Sequence, residues 1–187
     1  MNERLKIIIC VLIFAPLYLF IYTFFHEGGH AVVALIYGAE IDVFALGLNA
    51  RVVHNGAEFS AFGDALHHIA GMLLPTVVGF ALVALYRSKV KFTGYHLCYF
   101  ITCMGLIGSM SAWVAIPVIS LFAAPPPGDD VTKFLESTGI YPLIVSAGVL
   151  FVIAIFAFFM HKKGIFKKIK EIFISLKKGS DENESIH

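Results

Sequence analysis

Four long apolar runs, separated by short polar connections, dominate the chain. The first starts at about Leu5, passes Phe25 and keeps helical character to position 37; the others cover about 66–86, 95–122 and 140–160. Each supplies at least the ~20 residues that a helix needs to cross a ~30 Å hydrocarbon layer. Pro16, Pro75 and Pro117 fall inside the runs, where membrane helices tolerate a kink. The pattern predicts an all-α membrane protein of about four transmembrane helices, a single domain over residues 1–178.

The polar connections carry signals of their own. Residues 41–53 are rich in β-formers, His54-Asn55-Gly56 supplies an Asn-Gly turn signal, and positions 57–62 resume an alternating pattern. A short extramembrane β-hairpin is therefore expected between the first and second spans, over 41–62. Pro125-Pro126-Pro127-Gly128-Asp129-Asp130 leads into a short amphipathic stretch, 131–138, and residues 179–187 are expected to be a disordered tail.

Composition agrees: 58% of residues are hydrophobic and 14% charged. The net charge of +1 gives no support to a nucleic-acid partner. The loops alternate in charge, with acids prevailing in 38–65 and around 129–136, and Arg87, Lys89 and Lys91 alone in the second connection. Seven lysines against one acid, Glu171, lie between His161 and Lys178. By the positive-inside rule both termini and the 87–91 turn are cytoplasmic, and the basic tail faces an anionic lipid surface. Arg4 and Lys6 ahead of an apolar run imitate a signal peptide, but the run is too long and no small-x-small cleavage site follows, so it is read as retained. Cys10, Cys98 and Cys103 lie in apolar runs and read as small buried hydrophobes rather than a disulfide framework.

The candidate chemistry sits at the end of the first run, in His26-Glu27-Gly28-Gly29-His30. Histidines four apart on a helix project from one face, where two neutral imidazoles can meet a single Zn²⁺, and the intervening glutamate can reach a water instead of the metal. Ionisable groups continuing a membrane segment are expensive unless they face a cavity or a partner. Two adjacent glycines inside a helix suggest that something approaches closely. The blander explanation is a polar helix end at the headgroups. A catalytic zinc wants a third protein ligand and one open position. Asp129 or Asp130 could supply the third, although either could instead cap a helix, and so could His67 or His68, although both could be interfacial.

The stretch from His26 to Ala34, with Tyr37-Gly38-Ala39 after it, resembles the active-site helix of the site-2 protease family of intramembrane zinc metalloproteases. The resemblance implies a hairpin after that helix and a metal-ligating aspartate much later, and 41–62 and Gly128-Asp129-Asp130 come in that order. It further implies His26, His30 and an aspartate as metal ligands, with Glu27 as the catalytic base. The family's later Asn-Pro-x-x-Gly or Leu-Asp-Gly motif is absent, which leaves Asp129 and Asp130 both open. Asp130 is preferred because Phe134, four residues on, would seat that helix face against the bundle. The expected function is zinc-dependent hydrolysis of membrane protein or peptide substrates in the lipid bilayer. A metal-binding or metal-carrying membrane protein without protease activity is the alternative, and an accidental motif in a membrane scaffold a third.

Overall fold

The structure is a computed structural model and describes residues 3–184. Its elements in order are α1 (Glu3–Ile36), β1 (Glu40–Ala45), β2 (Arg51–Asn55), α2 (Ala61–Leu85), α3 (Thr93–Ile119), α4 (Asp130–Thr138), α5 (Pro142–Lys162) and α6 (Ile165–Glu184). Within them, Leu5–Ile36, Ala61–Leu85, Thr93–Ile119 and Pro142–Lys162 are each long and apolar enough to cross a bilayer. The protein is thus an all-α membrane bundle with one small antiparallel hairpin after its first helix.

Local chemistry sets the ends of these elements. Gly38, at φ 82°, closes α1: its N–H bonds the Leu35 carbonyl at 3.1 Å, and the N–H of Ala39 bonds the Ala34 carbonyl at 3.0 Å. This paired pattern around a left-handed glycine stops the helix and sends the chain directly into β1. The Ser60 hydroxyl accepts the Gly63 N–H at 3.1 Å, so α2 starts about a turn earlier than its apolar run suggests. Asp64, which the apolar pattern left in the preceding loop, therefore rides on the helix together with His67 and His68.

The hairpin turns elsewhere than expected. The ladder pairs Glu40 with Asn55 and Ala45 with Arg51, so the reversal spans 46–50, where Gly47 adopts φ 88°. The Asn55-Gly56 signal marks the end of β2. Asn55 spends its amide on both oxygens of Asp42 at 2.9 Å, and Gly56, at φ 75°, turns the chain out of the sheet towards α2. Residues 57–60 form no strand.

Two apolar clusters hold the bundle. Met72, Met110, Trp113, Val131, Phe134 and Val149 join α2, α3, α4 and α5 near the hairpin end. Val83, Tyr86, Cys103, Phe156, Met160 and Ile165 join α2, α3, α5 and α6 at the other end. Phe134 is 9% exposed, with its ring 5.5 Å from Trp113, which fastens α4 to the bundle. The Thr132 hydroxyl donates to the Pro126 carbonyl at 3.0 Å and ties the proline-rich approach to the same helix. α6 had no counterpart in the apolar pattern. It folds back at Gly164, buries Ile165 and Ile169, and runs to Glu184, into the stretch expected to be a disordered tail; residues 185–187 lie outside the described ones.

Candidate metal centre

Tyr22, His26 and His30 follow one another at four-residue intervals on α1 and so share one face. That face meets α2 where side chains are smallest. A Cβ on Gly29 would strike the Ala70 carbonyl, and one on Gly71 would stand 2.7 Å from Cε1 and 2.9 Å from Nε2 of His26. Bare backbone gives the two imidazoles their room.

Asp130, the first residue of α4, reaches the same point from a hundred residues away. The Nε2 atoms of His26 and His30 are 3.4 Å apart, and Asp130 Oδ2 lies 3.3 Å from the first and 3.1 Å from the second. Tetrahedral zinc with bonds of ~2.0–2.1 Å would hold its donors ~3.3–3.4 Å from one another. All three observed edges fall at or just below that spacing.

Hydrogen bonding shows what the triangle lacks. His30 Nδ1 is 2.7 Å from the His67 carbonyl oxygen. A carbonyl has no proton to give, so Nδ1 carries the hydrogen and donates it. In the neutral ring Nε2 is then a bare lone pair facing a carboxylate oxygen. Two acceptors that close need a proton or a cation between them. Tyr22 places its hydroxyl 3.3 Å from His26 Nδ1, which leaves Nε2 of that ring for the cluster. Partners of this kind fix the tautomer and orientation of metal-binding imidazoles. Burial alone would push the Asp130 carboxyl up in pKa, but when the facing Nε2 atoms of His26 and His30 carry protons, their hydrogen bonds and charge outweigh burial and hold it well below the usual range. Two imidazole nitrogens and one carboxylate oxygen are a donor set suited to zinc, with a fourth position left for water or substrate.

A cavity of about 370 Å³ opens on the cluster, its wall including Glu27, Arg51, His68 and Lys133. Glu27 is 8% exposed and His30 6%. Among the described residues, His26, His30 and Asp130 form the one group of three able to share a metal ion. Asp129 stays out of it: its Oδ1 accepts the Val131 N–H at 2.8 Å as the N-cap of α4. His67 takes part through its backbone, while its ring lies tilted with its centre 5.1 Å from that of His30. His68 Nε2 lies 3.3 Å from Asp64 Oδ1, one turn back on α2. Sequence reasoning passed over two contributors, Tyr22 and the His67 carbonyl. The four-residue spacing that flagged the histidines also reaches back to Tyr22, whereas a backbone oxygen leaves no trace in a sequence.

Residues 5–95, just under half of the chain, match the family model described as Peptidase M50B-like. Neither the curated proteins nor the solved structures gave a match. The matched stretch holds α1, the hairpin and α2, hence His26, Glu27 and His30, and ends before Asp130. The likeness to a peptidase family thus falls on apolar helices long enough to span a bilayer. Over residues 5–95 the chain is similar to the Peptidase M50B-like family, a likeness that supports a place in the site-2 protease family.

Proposed function

We propose that this protein is a zinc metalloendopeptidase that hydrolyses peptide bonds of membrane-associated or transmembrane proteins. His26, His30 and Asp130 hold the metal, and Glu27 is the general base. The observation that carries the reading is the triangle of His26 Nε2, His30 Nε2 and Asp130 Oδ2, with edges of 3.1–3.4 Å, beside a buried glutamate on the wall of a cavity of about 370 Å³.

Zinc, when bound there, lowers the pKa of water towards ~7 and polarises a scissile carbonyl. The remaining work falls to the chain. Glu27 takes a proton from the attacking water and returns it to the leaving amine. The His67 carbonyl and the Tyr22 hydroxyl hold the two imidazoles with Nε2 inward. A substrate helix hides its carbonyls in its own hydrogen bonds and must unwind first. Ala50, Arg51 and Val52 line the cavity, so the edge of β2 is placed to pair with an unwound segment, as in other strand additions. The charge pattern supports cytoplasmic termini, with the hairpin and metal cluster towards the opposite face.

Metal analysis of the purified wild type beside His30→Ala, Asp130→Ala and Asp129→Ala tests the ligand set. Wild type is expected to hold one zinc per chain, and the first two variants to lose it. Asp129→Ala should keep the metal and lose about 1 kcal/mol of stability with its helix cap. Full zinc content in Asp130→Ala would remove the third ligand and the assignment built on it.

A further inference from the structure

The end of the bundle remote from the metal cluster gathers cations. The α2–α3 turn brings Arg87, Lys89 and Lys91, α5 ends on Lys162, and α6 adds Lys167 and Lys170, all of them exposed. Lys163 is engaged differently: its Nζ donates to the Ala84 carbonyl and locks the turn into α6 to the end of α2. Lys168 pairs with Glu171 at 3.2 Å, which takes up the acid of this region.

A run of lysines alone would be a solvated face. α6 carries a second feature that water does not explain. Ile165 and Ile169 face inward and are buried in the bundle. Round the helix, Phe166 and Phe173 stand seven residues apart, so they fall on one stripe at 36% and 57% exposure, with Ile174 at 49% beside Phe173. Lys170 lies between the two phenylalanines along the helix. The Phe166 ring is also 6.4 Å from that of Phe100 on α3, a spanning helix, so this stripe borders the lipid-facing flank. Apolar rings along one line with lysines next to them suit the boundary between acyl chains and headgroups.

We propose that α6 lies on the bilayer surface and binds anionic phospholipid headgroups. Phe166 and Phe173 enter the acyl boundary, while Lys167 and Lys170 reach phosphates, with Arg87, Lys89 and Lys91 adding to the attraction. A second copy of the chain fits this face poorly, because like charges would meet. The surface is independent of the catalytic site.

The test is a Phe173→Trp reporter in nanodiscs of phosphatidylcholine alone or mixed with phosphatidylglycerol, with the Trp113 signal of the parent subtracted. Brominated lipid should quench the new tryptophan more strongly in the anionic discs, and high salt should abolish the difference. Each lysine near an anionic surface favours attachment by about fivefold. Lys167→Gln with Lys170→Gln should therefore lower the attached-to-detached ratio by roughly 30-fold. The salt arm needs no lysine variant, so misfolding of the double variant cannot mimic a success. Equal quenching in both lipid mixtures at low salt overturns the proposal.

Discussion

Glu27→Gln is expected to abolish peptide cleavage while leaving the zinc in place. The replacement keeps the size and nearly the shape of a side chain that is 8% exposed, so the wall of the cavity should not collapse. It removes the ability to accept a proton from water. A positioned general base contributes about 10²–10⁴-fold to a rate, and its loss should fall within that range or beyond it. The proposed ligand set of His26, His30 and Asp130 does not include Glu27, so the metal should stay. His26→Ala should lose zinc and cleavage together. The measurement is single-turnover cleavage of a reconstituted transmembrane peptide, with zinc content determined on the same sample. Cleavage by Glu27→Gln at the wild-type rate would eliminate the proposed base, and loss of its zinc would show that Glu27 supports the metal instead.

The spans were legible because a bilayer imposes one blunt demand, some twenty apolar residues, that composition alone can satisfy. The two histidines were legible for a similar reason: four-residue spacing on a helix has only one geometric consequence. Asp130 was harder. The sequence offered two adjacent aspartates, and what separates them is backbone geometry. Asp129 takes the extended conformation of a cap and turns its carboxylate to the Val131 N–H, while Asp130 begins the helix one step further round.

Other features rest on competitions that a local pattern does not settle. Asn55-Gly56 is a good turn signal, yet Gly47 makes the reversal, because a ladder closed between Ala45 and Arg51 lets Asn55 bond across the sheet to Asp42. α2 begins early because of one serine hydroxyl. α6 was hidden by its lysines. Their count suggested a tail at a lipid surface, and only the packing of Ile165 and Ile169 discloses a helix folded back on the bundle.

Three glycines within the α1–α2 contact should respond to one added methyl group in three different ways. At Gly28 the nearest atom is Leu74 Cδ2, at 3.9 Å, an ordinary contact. Gly28→Ala should be tolerated and even gain about 0.5–1 kcal/mol from helix propensity. At Gly29 the methyl would meet backbone, with the Ala70 carbonyl carbon at 2.7 Å and the Gly71 nitrogen at 3.2 Å. Backbone cannot swing aside, so α1 and α2 must separate. Overpacking of this kind costs about 1–3 kcal/mol, and separation would also stretch the 2.7 Å bond from His30 to the His67 carbonyl. Gly29→Ala should therefore melt earlier in detergent and bind zinc weakly. At Gly71 the obstacle is the two imidazoles themselves, which can rotate, but only by turning Nε2 out of the triangle. Disturbing the orienting partners of a metal ligand lowers affinity by about 10–100-fold, and displacing the ligands should do at least as much. Gly71→Ala is thus expected to lose zinc and cleavage while its melting temperature holds. Chelator competition and thermal unfolding on the three variants separate the cases. If Gly71→Ala kept wild-type zinc affinity, the imidazoles could not converge where the structure has them, and the metal centre would have to lie elsewhere.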